Sequence, residues 1–372
     1  MKIVNIVGAR PNFMKIAPLI KSMQAHRLIH PLLVNTGQHY DVNMAGRFFD
    51  DLQIPRPDVS LEVGSGTHAV QTGEVMMRLE PVLQRECPDL VVVVGDVNST
   101  MAAAITAAKL QIRVAHVEAG LRSGDRGMPE EINRIVTDSI SDYLFVSEES
   151  GIRNLSNEGV DKNKIFFVGN VMIDSLEASR RLWAQSLILD RLKLVKGRYG
   201  VVTLHRPSNV DDPKTLVGLM EALCDVAARC PLIFPVHPRT RKALLAIEHL
   251  DSVLHFGDGP TPPTGIHCME PMGYIDFMAL VASSRLVLTD SGGLQEETTV
   301  LGVPCLTLRE NTERPVTVTH GTNRIIGSSP MRLREEARRI LDAPPPAPGS
   351  PPLWDGHAAD RIVNILVEKC SR

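Results

Sequence analysis

Carboxylate side chains follow two apolar runs in the first half of the chain, at points where buried strands would end. Asp96 follows the run LVVVV and one glycine, and Glu118 directly follows RVAHV. A loop then leads to the adjacent pair Glu130 and Glu131. Helix capping alone would explain any one of these residues, but three acidic positions at one sheet edge fit an acid/base set. The pattern predicts proton transfer by Asp96, Glu118 and one of the two glutamates.

The strongest phosphate-binding signal lies in the second half, in the segment LVLTDSGGLQEE. Ser291, Gly292 and Gly293 follow a strand-like run and begin a helix. Glycines let the backbone approach a ligand closely, and the amides at a helix N-terminus favour a diphosphate. Glu297 lies one turn further on, where it could reach ribose hydroxyls. The segment predicts a site for a nucleotide-linked anion.

Cations at other predicted strand ends indicate the same kind of ligand. Arg10 and Lys15 lie in the segment that follows the first strand. The segments LHRPSN and PVHPRT place His205, Arg206 and His237 at strand ends of the second half. Such cations suit phosphate or carboxylate groups. A loop-rich region adds three further candidate contacts, namely Arg309, Arg314 and Arg324.

Several classes of cofactor and partner are disfavoured by the sequence. GxGxxG does not follow the first strand and GxxxxGK[ST] is missing, so no nicotinamide cofactor is predicted. DxD-like pairs and HExxH are also missing, so no metal is predicted. With 40 Lys and Arg against 43 Asp and Glu, and an aromatic content of 4%, the chain lacks the signature of a nucleic-acid binder.

The composition is that of an ordinary globular protein. The chain has 372 residues, of which 43% are apolar and 22% charged. At ~150 residues per domain, this length predicts two or three domains, and no apolar run approaches the ~20 residues of a membrane span. The six cysteines are scattered, and the N-terminus begins with a strand-like run rather than a signal peptide. We therefore expect a cytoplasmic protein with reduced thiols and no membrane contact.

Short apolar runs alternate with segments of helical length in both halves of the chain. Continuous apolar runs are typical of strands buried on both faces of a parallel sheet, so the alternation predicts α/β, doubly wound domains. The predicted strands are 3–7, 31–35, 90–94, 113–117 and 143–146 in the first half, and 200–204, 232–236, 253–256, 286–289 and 304–308 in the second. Helices are predicted over 99–109, 131–140, 213–228, 275–283 and 294–300.

The chain is predicted to divide near residues 169–176. We expect 1–172 to form an N-terminal Rossmann-like domain with the acid/base carboxylates, and 173–354 to form a C-terminal Rossmann-like domain that binds the nucleotide. The Pro-rich stretch 343–352 is an extended spacer, after which a helix within 355–372 returns to the first domain. Because ligands of open α/β sheets bind at the carboxyl ends of the strands, the two domains are expected to face one cleft.

Seven motifs in order along the chain resemble those of one enzyme family. They are GARPNFMKIAP, TGQHYD, GDVNST, HVEAGLRSGD, MPEEINR, LHRPSN and TDSGGLQEE. Together they resemble the non-hydrolysing UDP-N-acetylglucosamine 2-epimerases over residues 1–327. The resemblance implies a glycosyltransferase-B-like fold, a UDP-sugar substrate, a homodimer and no cofactor. The implied reaction converts UDP-GlcNAc to UDP-ManNAc for surface polysaccharide, by anti elimination of UDP to 2-acetamidoglucal and re-addition.

Carried over by motif, the resemblance implies roles for individual residues. Asp96, Glu118 and Glu130 would exchange the proton at C2, with Glu131 as a rival to Glu130, and His205 would assist departure of the diphosphate. Tyr274 would lie near the uracil. The substrate and its UDP group would be held by Arg10, Lys15, Glu131, Arg134, His237, Tyr274, Ser291, Gly292, Gly293, Glu297 and Arg314.

Two segments depart from the family pattern, and several alternatives stay open. Many members read HRREN where this chain reads HRPSN, which weakens the case for activation by a second substrate molecule; Gln38, His39 and Arg206 are the candidate regulatory residues. TERPV replaces TERPE beside Arg314. The alternatives are a hydrolysing 2-epimerase that releases ManNAc and UDP, a 2-epimerase of a modified sugar such as a diacetamido uronic acid, a glycosyltransferase, and a nucleotide-sugar sensor that needs none of the carboxylates.

Overall fold

The protein divides into two compact units. The structure is a computed structural model, and it describes residues 1–38, 55–247 and 253–370. Met1–Ala178 together with Pro352–Arg372 form the N-terminal unit, and Ser179–Pro351 form the C-terminal unit. Each unit is built on its own parallel sheet, which confirms the prediction of two doubly wound domains.

The N-terminal unit is a parallel sheet whose strands alternate with helices. Its strands are β1 (Lys2–Val7), β2 (His30–Asn35), β3 (Val59–Ser60), β4 (Leu90–Val94), β5 (Arg113–Val117), β6 (Tyr143–Val146) and β7 (Ile165–Phe167). Its helices before the domain boundary are α1 (Arg10–Ala25), α2 (His68–Glu86), α3 (Asn98–Lys109), α4 (Pro129–Ile140), α5 (Glu149–Asn157) and α6 (Val171–Ala178). The strand order is β3-β2-β1-β4-β5-β6-β7, with every pair parallel.

The C-terminal unit repeats this plan with a different strand order. Its strands are β8 (Gly200–Thr203), β9 (Leu232–Pro235), β10 (Leu254–Phe256), β11 (Ile266–Met269), β12 (Leu286–Thr289), β13 (Cys305–Thr307) and β14 (Asn323–Ile325). Its helices are α7 (Arg180–Ala184), α8 (Ile188–Arg191), α9 (Pro207–Val210), α10 (Pro213–Ala227), α11 (Pro238–Leu244), α12 (Tyr274–Ser283), α13 (Gly292–Leu301), α14 (Val316–Thr319) and α15 (Pro330–Asp342). The order is β10-β11-β9-β8-β12-β13-β14, again parallel throughout.

The central strands are buried on both faces, as their composition requires. All five residues of β4 are fully buried, and the apolar residues of β8 and β12 are equally inaccessible. Helices cover both faces of such sheets, so an unbroken apolar run is the pattern expected of their strands. Among the described helices, none is long and apolar enough to cross a membrane.

Each sheet has a point at which the direction of its connections reverses. In the N-terminal unit this point lies between β1 and β4, and in the C-terminal unit it lies between β8 and β12. Ligands of doubly wound sheets bind beyond the carboxyl ends of the strands at such points. The loops that follow β1, β4, β8 and β12 are therefore expected to bind the ligand.

The C-terminal helix α16 (Ala358–Cys370) returns to the N-terminal unit, as predicted. The Asp174 carboxylate accepts hydrogen bonds from the backbone amides of Ala358 at 3.1 Å and Ala359 at 2.7 Å. The indole nitrogen of Trp354 donates to the carbonyl oxygen of Ser147 at 2.9 Å. These bonds tie the start of α16 and the segment before it to the first sheet.

The same contacts correct both predicted boundaries. The first unit extends to Ala178 rather than Met172, because α6 packs against α1 instead of serving as a free hinge. The second unit ends at Pro351 rather than Trp354, because Trp354 is already buried in the N-terminal unit. The expectation that the two domains face one cleft stays a prediction.

Candidate active site

A buried ion pair lies beyond the carboxyl ends of β1 and β5. Lys15 is in the second turn of α1, and its Nζ lies 2.5 Å from Oε2 of Glu118, which directly follows β5. The two residues are only 6% and 4% exposed. The other oxygen of Glu118, Oε1, is buried and has no hydrogen-bond partner among the described residues. Glu118 thus keeps one oxygen free in a site that its lysine neighbour holds in place.

Asp96 follows β4 and Gly95 and is held by α4. The guanidinium of Arg134 donates to Oδ2 of Asp96 at 2.5 Å, and the amide of Asn133 donates to the Asp96 carbonyl oxygen at 2.8 Å. The Asp96 side chain is 28% exposed, so its second oxygen is open to a ligand. Gly95 has a φ of +69°, and a Cβ added there would lie 2.9 Å from Nζ of Lys15. Glycine at this position therefore lets the backbone just before Asp96 pass close to the Lys15–Glu118 pair.

The two adjacent glutamates of α4 have different surroundings. Glu131 is buried and accepts hydrogen bonds from the backbone amides of Ser123 and Gly124 and from the Arg134 guanidinium, at 2.6–3.1 Å. Burial alone would raise the pKa of Glu131, but these donors together hold that pKa below its usual value. Glu130 is half-buried and has no hydrogen bond or ion pair within the described part of the chain. The structure therefore separates a loop anchor from a carboxylate that is available to a ligand.

In the C-terminal unit, Asp290 organises the loop after β8. Its Oδ2 accepts from the backbone amides of His205 and Arg206 at 3.0 and 2.9 Å, and from the side-chain amide of Asn209 at 3.1 Å. Nδ1 of His205 lies 2.8 Å from Oδ1 of Asp290. Burial opposes ionisation, but the His205 ring and the two amides hold the pKa of Asp290 below its usual value. Asp290 therefore fixes the orientation of the His205 ring, and because half of the His205 side chain is exposed, a ligand can still reach the ring.

The N-terminus of α13 carries the predicted glycines and a buried cation. Ser291 is the N-cap residue in an extended conformation, and its hydroxyl makes no capping bond. A Cβ added at Gly292 would lie 2.8 Å from Nη1 of Arg314. Arg314 is itself held by Glu296, which accepts from its Nε at 2.6 Å. The first amides of the helix and a fixed guanidinium are together suited to an anion.

Glu297 forms a buried pair with Tyr274. The tyrosine hydroxyl donates to Oε1 of Glu297 at 3.0 Å, and the two residues are 7% and 5% exposed. Burial raises the pKa of Glu297 to about 8, so the carboxyl group is largely protonated at neutral pH. Burial likewise raises the pKa of Tyr274 well above its usual value. The structure places Tyr274 against Glu297, and its predicted position near a uracil stays a prediction.

For the remaining predicted residues, the structure gives only the exposure of the side chain or a single contact. His237 follows β9 and is exposed, and Arg206 is half-buried. Gln38 is buried, and its amide oxygen accepts from the hydroxyl of Ser99 at 2.8 Å, so that oxygen is already occupied within the fold. Arg10 begins α1, and its side chain lies outside the described part, as does all of His39.

Three residues of the site's framework were missed by sequence reasoning, namely His116, Asp138 and Asp290. His116 is a polar residue inside the strand RVAHV, and such an interruption of an apolar run is a usable signal for a buried polar network.

Within the residues that the structure describes, no group of three or more His, Cys, Asp or Glu side chains is placed to hold a metal ion.

Comparison with known proteins gives matches over nearly the whole chain. A family model described as UDP-N-acetylglucosamine 2-epimerase matches residues 21–367. A UDP-N-acetylglucosamine 2-epimerase homolog of Methanococcus maripaludis is 42% identical over 368 residues, covering 98% of this chain and 99% of that protein. The UDP-2,3-diacetamido-2,3-dideoxy-D-glucuronate 2-epimerase of Pseudomonas aeruginosa is 40% identical over 372 residues, covering 99% of this chain and 100% of that protein.

A solved structure agrees with the same grouping. The crystal structure of the Methanocaldococcus jannaschii UDP-GlcNAc 2-epimerase, in complex with UDP-GlcNAc and UDP, has a TM-score of 0.88 to this chain. The two chains are 40% identical, and the alignment covers 99% of this chain and 100% of that one.

Proposed function

Since the chain belongs to the UDP-N-acetylglucosamine 2-epimerase family, we propose that it epimerises UDP-GlcNAc at C2 to UDP-ManNAc without net hydrolysis. The proposal goes beyond the family assignment in two respects, the identity of the sugar and the fate of the intermediate. It draws on the carboxylates of the N-terminal unit for proton transfer and on the N-terminus of α13 for the diphosphate.

The observation that carries the proposal is a set of unequal carboxylates in one unit. Glu118 has one oxygen paired with Lys15 and one without a partner among the described residues; Asp96 is held by Arg134. Glu130 is unpaired within the described chain. Inversion requires that a proton leaves one face of C2 and returns to the other, so more than one acid/base group is needed. Carboxylates in different environments are suited to these opposite roles.

The reaction begins with departure of the nucleotide, because the hydrogen at C2 is hardly acidic in the intact sugar. The bond between C1 and the diphosphate oxygen breaks, UDP takes the electron pair, and the developing positive charge at C1 acidifies C2–H. A carboxylate accepts the proton, and the C2–H electron pair forms the C1–C2 double bond of 2-acetamidoglucal. A proton then arrives on the opposite face of C2 while a UDP oxygen re-forms the bond to C1. No electrons enter or leave overall.

The C-terminal unit supplies groups that stabilise the leaving diphosphate. Amides at the start of α13, the Arg314 guanidinium and the exposed His205 ring all favour negative charge. Glu297, protonated at neutral pH, can both donate to and accept from a ribose hydroxyl. Binding of UDP-GlcNAc and UDP by the M. jannaschii relative supports this assignment.

A second candidate substrate is a UDP-2,3-diacetamido uronic acid. The P. aeruginosa enzyme of that name is about as similar to this chain as the UDP-GlcNAc 2-epimerases are, with identities of 40% and 42%. Both sugars carry the 2-acetamido group and the C2 hydrogen, so the same elimination and re-addition applies to either.

The test is product analysis with both sugars in parallel. UDP-GlcNAc and UDP-2,3-diacetamido-2,3-dideoxyglucuronate are incubated separately with the protein and followed by proton and phosphorus NMR. The proposal predicts UDP-ManNAc from the first, with UDP as a minor species. Stoichiometric UDP and free ManNAc would show the hydrolysing reaction instead, and turnover of the uronate alone would make the second candidate the substrate. Turnover of neither would contradict the proposal.

The homodimeric state, the cytoplasmic location and the role in surface polysaccharide synthesis are further parts of the proposal. The dimer and the polysaccharide role rest on the family resemblance, and the cytoplasmic location rests on the scattered cysteines of the sequence. Light scattering coupled to size-exclusion chromatography tests the first directly, with a mass of twice 40.8 kDa expected.

A further inference from the structure

A chain of buried polar contacts runs behind the carboxylates of the N-terminal unit. His116 of β5 and Asp138 of α4 are 0% and 2% exposed. Nδ1 of His116 lies 2.6 Å from Oδ1 of Asp138, and Nε2 of His116 lies 2.8 Å from the carbonyl oxygen of Gly95. Oδ2 of Asp138 accepts from the backbone amide of Gly120 at 3.1 Å and lies 2.7 Å from Nη1 of Arg122. Every donor and acceptor of this pair thus has a partner.

The two backbone groups that these polar contacts reach, the Gly95 carbonyl oxygen and the Gly120 amide, lie close in sequence to two of the proposed acid/base residues. Gly95 immediately precedes Asp96, and Gly120 lies two residues after Glu118. Glu118 itself has a φ of +68°, in the left-handed region that is unfavourable for a non-glycine residue. Such a conformation persists only where the surrounding structure holds it, and such residues cluster at functional sites. The hydrogen bond from the Gly120 backbone amide to Asp138 holds the polypeptide backbone just beyond this strained position.

The charges along the chain of contacts are complementary. Both ring nitrogens of His116 face oxygen atoms, one of the Asp138 carboxylate and one of the Gly95 carbonyl group. Burial opposes ionisation of Asp138, but the His116 ring and the Arg122 guanidinium hold the pKa of Asp138 below its usual value. Arg122 is anchored in turn by Glu158 through two hydrogen bonds, at 2.8 and 2.7 Å. An ionised Asp138 is therefore fixed from three sides.

We propose that His116 and Asp138 are positioning residues for the epimerisation, an inference that rests on the proposed function. They connect the backbone before Asp96 to the backbone after Glu118, and so fix the relative placement of the two carboxylates. Neither residue touches the substrate in this scheme. Their effect on the reaction comes through the Gly95 carbonyl oxygen and the Gly120 amide, because proton transfer at C2 depends on sub-ångström placement of the reacting groups.

Three substitutions in the full-length protein test this role. In His116→Asn, the amide can still reach Asp138 but is too short to reach the Gly95 carbonyl oxygen. In His116→Gln, the longer amide can reach that oxygen. We expect His116→Asn to lower kcat for UDP-GlcNAc ~100-fold and His116→Gln to recover ~10-fold of that loss. Asp138→Asn, which keeps the shape of the side chain and removes its charge, is expected to lower kcat ~30-fold.

Binding and stability measurements separate positioning from general structural damage. KM for UDP-GlcNAc and the Kd for UDP from calorimetry are expected to stay within ~3-fold of wild type, because the diphosphate contacts proposed at the N-terminus of α13 lie in the other unit. His267→Asn is the matched control, since His267 is a buried strand histidine of the C-terminal unit. Its kcat is expected to match wild type.

Three outcomes would overturn the inference. An active wild type with unchanged kcat in His116→Asn and Asp138→Asn would show that the two residues do not position the carboxylates. Equal losses in His116→Asn and His116→Gln, or a rise in UDP Kd that parallels the fall in kcat, would show a merely structural role. A wild type that turns over neither UDP sugar would contradict the proposed function, and this inference with it.

Discussion

Glu118 is a buried glutamate with two differently placed oxygens, and its protonation is the chemistry on which the proposal depends. In Glu118→Gln the side chain keeps its shape but no longer accepts a proton. We expect kcat for UDP-GlcNAc to fall ~10²–10⁴-fold, the range typical of a lost acid/base group. KM is expected to change little, because Glu118 is not proposed to bind the nucleotide. Steady-state kinetics by coupled assay or NMR measures both constants.

Glu62→Gln is the matched control for that substitution. Glu62 is an exposed glutamate of the same unit and, like Glu118, has a positive φ, at +52°. Its substitution is expected to leave kcat unchanged. Equal rates in Glu118→Gln and wild type would remove Glu118 from the acid/base set.

Glu130 and Glu131 are neighbours with opposite expected behaviour. Glu131 bonds Arg134 and two loop amides, so Glu131→Gln is expected to lower the free energy of unfolding by about 2 kcal/mol. Glu130→Gln is expected to leave that free energy within ~0.5 kcal/mol of wild type, because the side chain is unpaired among the described residues. Its kcat is expected to fall. Urea unfolding and kinetics on both variants decide between them, and the reverse pattern would make Glu131 the acid/base residue.

Glu297 gives the protein a pH dependence whose sign follows from its buried state. Burial raises the pKa of Glu297 from 4.5 to about 8, so the native state binds this proton more tightly than the unfolded state. The resulting stabilisation is full below pH 4.5 and is lost as the pH rises to about 8. Glu297→Gln cannot titrate, so the wild type should lose stability relative to this variant across that range. Urea unfolding at several pH values measures the difference, and parallel curves would contradict the assignment.

At the scale of elements, the N-terminus of α13 is the feature proposed to bind the diphosphate. In Gly292→Ala, the new Cβ would lie 2.8 Å from Nη1 of Arg314 and would displace that guanidinium. We expect the Kd for UDP to rise ~10-fold, equivalent to about one charge-assisted hydrogen bond. Calorimetry with UDP measures this. Gly73→Ala in α2 is the control, because a Cβ there meets nothing within 4 Å, and an equal Kd for both variants would contradict the assignment.

Most central elements were predictable from the sequence, and the short ones were not. The predicted strands 90–94 and 286–289 coincide with β4 and β12, because continuous apolar runs identify buried parallel strands. The predicted strand 113–117 coincides with β5, although His116 lies inside its apolar run. Missed strands such as β3 and β14 have two or three residues, too few to show a period. β11 was missed as well, and its run is interrupted by His267.

The site was predictable to the level of residue types at strand ends, but not to the level of side-chain pairing. Motif order predicted Asp96, Glu118 and the α13 glycines as candidate site residues. It could not distinguish Glu130 from Glu131, since the difference lies in loop amides that only the fold brings close. His116 and Asp138 are 22 residues apart, and their contact is equally invisible in one dimension.

Asp174 links the two segments of the discontinuous N-terminal unit, Met1–Ala178 and Pro352–Arg372. Burial raises its pKa from 3.8 to about 6, although the amides of Ala359 and Ala358 oppose that shift. Because the native state binds this proton more tightly, its stabilising contribution is lost as the pH rises from 3.8 to about 6. Asp174→Asn should remove this part of the pH dependence.

Urea unfolding of the wild type and Asp174→Asn over this pH range measures the effect. The free energy of unfolding of the wild type should fall relative to the variant as the pH rises. A constant difference between the two proteins would show that the carboxyl group is not titrating in the folded state. The predicted domain boundaries differ from those of the structure because the two segments of the N-terminal unit are joined by contacts between residues more than 180 apart, such as that between Asp174 and Ala358.

We propose that this protein exchanges the proton at C2 of a UDP-acetamido sugar by reversible loss of UDP. The most direct measurement is NMR of the protein with UDP-GlcNAc in D₂O, with wild type and Glu118→Gln run side by side. We expect UDP-ManNAc with deuterium at C2 from the wild type, UDP as a minor species, and a large loss of exchange in the variant. Epimerisation with the original hydrogen retained at C2, or full exchange in Glu118→Gln, would contradict it.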